Sequence, residues 1–206
     1  MASKTYNGID VSQHNGLIRW DRVKVDFAII RAGYGKSPNQ IDRKFEANYS
    51  GCVKNYIPCG AYWYSYATSV EEAREEAKAF LTVIKGKKFS YPVFYDVEEQ
   101  RTFDLGKAKV SEIIKTFCDE VEKAGYFVGL YMSTSALETY VTEEVRNRYS
   151  VWVAHWGVKS PTYEGSYGMW QYSATGAVDG INGDVDMDKA YRNFPSIMAK
   201  NHLNGY

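Results

Sequence analysis

SVEEAREEAKAFLTVIKGKKFSYPVFYDVEEQ, residues 69–100, contains a helix, a turn and a strand in immediate succession. Ser69 is a hydroxyl N-cap, Glu71 and Glu72 occupy the first turn, apolar positions recur at helical spacing, and Gly86 ends the run. The YPVFYDVE that follows is aromatic and β-branched, which suits a buried pleated surface. A helix returning directly into a strand is half of a βα unit, and repeated units of this kind build a parallel sheet.

The same alternation extends on both sides. Strands are expected at GIDVS (8–12), FAIIRAG (27–33), CGAYWYSY (59–66), YPVFYDVE (91–98) and FVGLYMS (127–133). Helices are expected over DRKFEANYSGCVKN, over residues 69–86, over KAKVSEIIKTFCDEVEKAG, over roughly 135–148, and briefly around Trp20 to Lys24. After residue 150 the rhythm changes: VWVAHW (151–156), MWQYS (169–173) and DVDMD (184–188) are separated by Gly, Ser and Pro-rich loops. Eight strands with about five helices fit an α/β, modified TIM-like barrel that loses its last helices. One barrel domain over 1–206 is expected, with its core over about 6–192, a short C-terminal tail and no separate second domain.

Composition excludes several classes of partner. Twenty-five basic and twenty-five acidic residues leave no net field for nucleic acid or an anionic membrane. No apolar run reaches the length of a membrane span. Cys52, Cys59 and Cys118 form no CxxC pair and read as buried thiols, a Cys52 to Cys59 bridge being the lesser alternative. His14, His155 and His202 are scattered, so neither a metal nor a cofactor is expected.

In a closed βα barrel the C-terminal ends of the strands carry the chemistry. Asp10 ends the first strand, Asp96 and Glu98 end the fourth, and Asp186 lies in the eighth, which closure sets beside the first. Alternation turns Phe94, Asp96 and Glu98 to one face and Tyr95, Val97 and Glu99 to the other, leaving Glu99 only to solvate the strand end. Clustered carboxylates raise the proton affinity of at least one member, and glycoside cleavage needs a neutral acid beside an ionised one. Tyr62, Tyr131 and Trp156 are candidate sugar platforms. Gln171 is a candidate hydrogen-bonding partner of a sugar or an acid, and Arg31 is either a holder of a carboxylate or a surface cation.

These residues sit in ordered motifs: GIDVSQHNGLIRW, IDRKFEANYSGCVKNYIPCGAYWYSYA, YPVFYDVEE and WQYSATGAVDGINGDVDMD. Together they resemble the glycoside hydrolase family 25 muramidases, the Ch-type lysozymes, from residue 8 to about 190. The resemblance implies a modified barrel of eight strands and five helices. It also implies Glu98 as general acid, Asp96 as its partner, and Asp10 and Asp186 as flanking carboxylates. Two positions depart from the family pattern near the expected site: Trp63, where His is frequent, and Asp188, where Asn is frequent. The function implied is hydrolysis of the β-1,4 bond between N-acetylmuramic acid and N-acetylglucosamine in bacterial peptidoglycan, outside the cytoplasm, by a monomer. The N-terminus lacks a secretory h-region, so a mature form or a phage-type lysin (endolysin) is expected. The alternatives are a catalytically silent glycan-binding barrel and a chitin-directed hydrolase.

Overall fold

The computed structural model describes residues 4–206. Eight strands close into a barrel in chain order: β1 (Tyr6–Val11), β2 (Phe27–Tyr34), β3 (Cys59–Tyr64), β4 (Val93–Asp96), β5 (Val128–Ser133), β6 (Ser150–Ala154), β7 (Met169–Gly176) and β8 (Val185–Ala190). Strands β1 to β7 pair in parallel, and β8 runs antiparallel to both of its neighbours. The reversal follows from the connection. Residues 177–184 are too few for the crossover of a dozen or more that a parallel return requires, so the chain turns back on itself.

Among the described residues there are seven α-helices: α1 (Phe45–Lys54), α2 (Val70–Ile84), α3 (Gln100–Phe103), α4 (Lys107–Lys123), α5 (Thr134–Tyr140), α6 (Glu143–Arg148) and α7 (Phe194–Asn201). Helix α2 forms as its sequence predicts, with Ser69 Oγ accepting from the Glu72 amide at 3.1 Å and Gly86 adopting φ +77° beyond its end. The helix expected over 135–148 is two, since Val141 is extended and Thr142 opens α6. The segment expected as a helix near Trp20 is a turn, with Trp20 buried and its indole donating to Asn48.

Two apolar layers result. Outward residues such as Trp63, Tyr95 and Val93 meet Phe80 of α2 and Phe117 of α4, and the Tyr95 and Phe117 rings stack 3.7 Å apart. Each large apolar side chain buried this way contributes about 1.5–3 kcal/mol. Tyr95 also donates to the buried Glu76 of α2 at 2.6 Å and accepts from Ser65 at 2.8 Å, which anchors β4 against its helix. Inside the barrel, Phe27, Ile29, Phe94, Trp152 and Met169 fill the lumen. A Cβ on Gly8 would run into the Phe27 ring, so only glycine admits that ring beneath the mouth.

The residues expected as a tail close the barrel floor. Phe194 and Met198 of α7 are fully buried against Tyr91 and Phe127, which stand at the N-terminal ends of β4 and β5. Asn204 is buried beyond α7, donating to Tyr91 O at 2.8 Å and accepting from the Phe127 amide at 2.7 Å. With its floor filled, the barrel is open for chemistry at one end only.

Candidate active site

The acids converge at the C-terminal rim of the parallel strands. Asp10 lies near the end of β1 and Asp96 ends β4, with Glu98 two residues beyond the strand. Strand β8 runs the other way, so its beginning reaches the same rim, and Asp186 pairs directly with Asp10. All nine residues singled out in the sequence line one cavity of about 350 Å³: Asp10, Arg31, Tyr62, Asp96, Glu98, Tyr131, Trp156, Gln171 and Asp186. A second cavity of about 400 Å³ shares Glu98, Tyr131 and Trp156, which makes an extended groove across Glu98.

Alternation along β4 acts as its pattern predicts. Phe94 fills the lumen, Asp96 above it is buried in the mouth, and Tyr95 and Val97 pack outward. Asp96 Oδ1 is buried and has no hydrogen-bond partner in the protein. Such an acceptor is costly to leave unpaired, so it marks a place where a ligand donor gains binding energy.

Electrostatics hold protons in this mouth. Loss of hydration raises the Asp96 pKa well above the ordinary range, the Glu98 charge raises it further, and the Arg31 cation opposes both. Glu98 is accessible at the rim, yet its pKa is also raised, by partial desolvation and then by the charges of Asp186 and Glu99. Asp186 is raised by burial. The Asp96 and Glu98 carboxyls therefore titrate as an interacting pair, in which Arg31 favours the Asp96 anion against a larger opposing effect of burial. Arg31 is itself fixed, its Nε 2.7 Å from Oδ2 of the buried Asp42. Asp42 further accepts from the amides of Gln13 and Lys44, so one carboxylate ties the loop after β1 to the cation beside Asp96.

Gln171 occupies the centre. Its Nε2 donates to Asp10 Oδ2 at 2.7 Å, and its Oε1 accepts from Tyr131 Oη at 2.8 Å and Trp156 Nε1 at 2.9 Å. Indole N–H only donates, so the amide has one consistent orientation. Trp156 thereby holds a ring 54% exposed over the groove, the geometry of a stacking platform. Tyr62 and Tyr131 are more enclosed and pack on Trp152, so they wall the cavity and do not lie open to a ring face.

Several expectations need correction. Glu99 does more than solvate: it accepts from Tyr64 Oη at 2.9 Å and pairs with Arg101 at 3.6 Å. Trp63 is not near the mouth, because alternation on β3 turns it outward against Phe80, where its indole donates to Gly35 O at 2.8 Å. Asp42 and Tyr64 escaped notice. Asp42 stands at the start of both a helical stretch and the motif IDRKFEANYSGCVKNYIPCGAYWYSYA, but an acid in that position reads equally well as a cap. Cys52, Cys59 and Cys118 are buried and free. Among the described residues no cluster of three or more His, Cys, Asp or Glu is arranged for a metal ion, and no helix is long and apolar enough to cross a membrane.

Comparison with known proteins agrees with this architecture. The profile of Glycosyl hydrolases family 25 matches residues 9–181. The chain is 32% identical over 199 residues to Uncharacterized protein YegX of Escherichia coli K12, covering 91% of this chain and 70% of that protein. It is 31% identical over 198 residues to Lysozyme M1 of Streptomyces globisporus, covering 88% and 66%. The crystal structure of the bacterial lysozyme from Streptomyces coelicolor superposes with a TM-score of 0.81 at 29% identity, over 92% of this chain and 94% of that one. The chain belongs to glycosyl hydrolases family 25 and is a glycoside hydrolase.

Proposed function

We propose that this hydrolase is a muramidase that cleaves the β-1,4 bond between N-acetylmuramic acid and N-acetylglucosamine in bacterial peptidoglycan, with the barrel as its catalytic unit and the cell wall as its place of action. The lysozymes among its relatives support the substrate class. The observation that carries the chemistry is the unpartnered Asp96 Oδ1 beside Glu98 in a mouth that retains protons.

In this reading the acetamide N–H of the bound sugar donates to Asp96 Oδ1. That hydrogen bond stabilises the Asp96 anion and, with Arg31, leaves the shared proton on Glu98. Glu98 delivers it to the glycosidic oxygen as the acetamide carbonyl oxygen attacks the anomeric carbon and the C–O bond breaks. Asp96 stabilises the positive charge on the resulting cyclic intermediate. Glu98, now ionised, takes a proton from water, and the water oxygen opens the ring with overall retention. Trp156 orients a pyranose face, and Gln171 holds Trp156 and Asp10 in mutual register.

The test is to incubate the protein with Gram-positive walls and, separately, with chitin oligomers, and to identify each new reducing end. A muramic acid end, lost in Glu98→Gln, is expected. Cleavage of chitin alone points to an N-acetylglucosamine-directed enzyme, and binding without any new end points to a silent glycan-binding barrel; either result overturns the proposal.

A further inference from the structure

Asp188 takes no direct part in the chemistry above, yet it is a fully buried acid beneath the mouth. Its side chain is 0% exposed, Trp152 Nε1 donates to its Oδ1 at 2.8 Å, and its Oδ2 has no donor from the protein. Asp10 is 5% exposed, receives one donor from Gln171, and lies within hydrogen-bonding reach of Asp188. Both side chains point into the lumen, because Asp188 lies opposite Gly8, two residues along β1 from Asp10. Two ionised carboxylates in contact away from water repel strongly. One proton between them removes the repulsion and supplies the donor that Oδ2 lacks.

We propose that Asp10 and Asp188 hold a single proton between them, a carboxylic acid to carboxylate hydrogen bond in which Asp188 is the positioning residue that fixes Asp10 at the mouth. The functional consequence rests on the muramidase reading; the proton itself does not. Among the described residues, Asp188 Oδ2 receives no donor and Asp10 receives the one from Gln171. The pair therefore carries one negative charge, not two, under a site whose general acid must keep its own proton.

The surroundings favour retention of the shared proton. Asp186 on β8 adds a third charge, and Tyr131 on β5, Tyr172 on β7 and Tyr62 on β3 are the other titratable groups that sense this pair, all with raised pKa. The positive charge of Arg31 on β2 acts on Tyr62 and Asp96. Burial raises both acids, Asp188 to about 8 and Asp10 well above its ordinary value, so release of the proton belongs to the pair and falls on the alkaline side of neutrality.

The discriminating variant is Asp188→Asn. Trp152 N–H can only donate, so it holds the Asn Oδ1 and directs Nδ2–H to Asp10, replacing the shared proton by a hydrogen that does not titrate. Asp188→Leu offers Asp10 no donor. Two readouts are used. The first, independent of wall lysis, is the difference infrared spectrum: the wild type at neutral pH should show one protonated-carboxyl carbonyl band that Asp188→Asn lacks and that disappears only at alkaline pH, since burial and the Asp188 charge raise Asp10 well above its ordinary value. The second is the pH profile of kcat/KM on walls. Asp188→Asn should stay within about threefold of wild type on the acidic side, and its basic limb should lose the additional steepening caused by the pair's proton, whereas Asp188→Leu should lose roughly tenfold or more throughout. Identical infrared bands in wild type and Asp188→Asn overturn the shared proton. An Asp188→Asn enzyme as impaired as Asp188→Leu overturns the positioning role. A wild type without wall activity overturns the muramidase reading and leaves the infrared test in force.

Discussion

Gln171 donates to Asp10 at 2.7 Å while its carbonyl accepts from Trp156 at 2.9 Å, so one buried amide joins an acid of the mouth to the exposed ring over the groove. Gln171 and Asp10 are 161 residues apart in sequence and meet only because β8 closes the barrel between β7 and β1. Gln171→Glu preserves size but removes the only N–H that Gln171 offers Asp10 and adds a charge among carboxylates. A hydrogen bond to a charged group is worth about 1.5–3 kcal/mol, so kcat/KM on walls should fall roughly 10- to 100-fold. Trp156 fluorescence should shift in parallel, as its indole loses a neutral acceptor. Normal turnover with a shifted spectrum would uncouple the two ends of the amide.

Asp186 is the leading charged contributor to the raised pKa of Glu98, with Glu99 behind it. The sign follows directly: a nearby negative charge favours the protonated acid, so removing it lowers the pKa and Glu98 loses its proton at lower pH. In Asp186→Asn the basic limb of the kcat/KM profile should move to lower pH. Asp10→Asn should move it less, since Asp10 is not among the charges acting on Glu98. Equal shifts in the two variants would show that the mouth acts as one diffuse charge and not through this contact.

The rim was legible in the sequence wherever period-two alternation and strand ends decide placement. Asp10, Asp96 and Gln171 follow from those rules, and Glu98 carries them one step past the strand end. What escaped depends on contacts distant in sequence. Asp42 clamps Arg31 across a loop, and the contacts of Asp188, which the family pattern already marks as a departure near the site, emerge only once β8 is known to run antiparallel and face Trp152. Trp63 follows the same alternation as β4: on β3 it turns outward against Phe80, which a motif position alone does not reveal. The floor helix α7 was invisible for a compositional reason: FPSIMAKN is short, and nothing local distinguishes a plug from a tail.

That floor has its own consequence at Asn204. Its side chain satisfies Tyr91 O and the Phe127 amide, and its backbone lies in the left-handed region at φ +56°, which Asn tolerates better than most residues. Asn204→Ala leaves two buried polar groups unpaired and strains the backbone, at a cost of about 2–4 kcal/mol. Thermal unfolding should shift down by roughly 5–10 °C for a chain of this size, with kcat on the folded fraction unchanged because the mouth is at the opposite end. A loss of kcat without a loss of stability would contradict the separation of floor and rim.

The role of Asp96 separates two mechanisms with the same stereochemical outcome. As a nucleophile it would attack the anomeric carbon and form a covalent glycosyl enzyme; as an orienting anion it would hold the substrate acetamide while that group attacks. The geometry favours the second. Asp96 and Glu98 line one cavity from positions two residues apart in the chain, which suits a partner braced beside the acid better than a nucleophile across the sugar ring. The lone acceptor Asp96 Oδ1 also matches an acetamide N–H. Asp96→Asn should therefore lower turnover by roughly 10²- to 10⁴-fold yet leave measurable activity, because an amide oxygen still accepts that N–H though it no longer stabilises positive charge. A thiazoline analogue of the cyclic intermediate should inhibit the wild type and bind Asp96→Asn more weakly. The opposing result is equally specific: a 2-fluoro glycoside that leaves a sugar mass on the peptide carrying YDVEE makes Asp96 the nucleophile and removes the acetamide from the reaction.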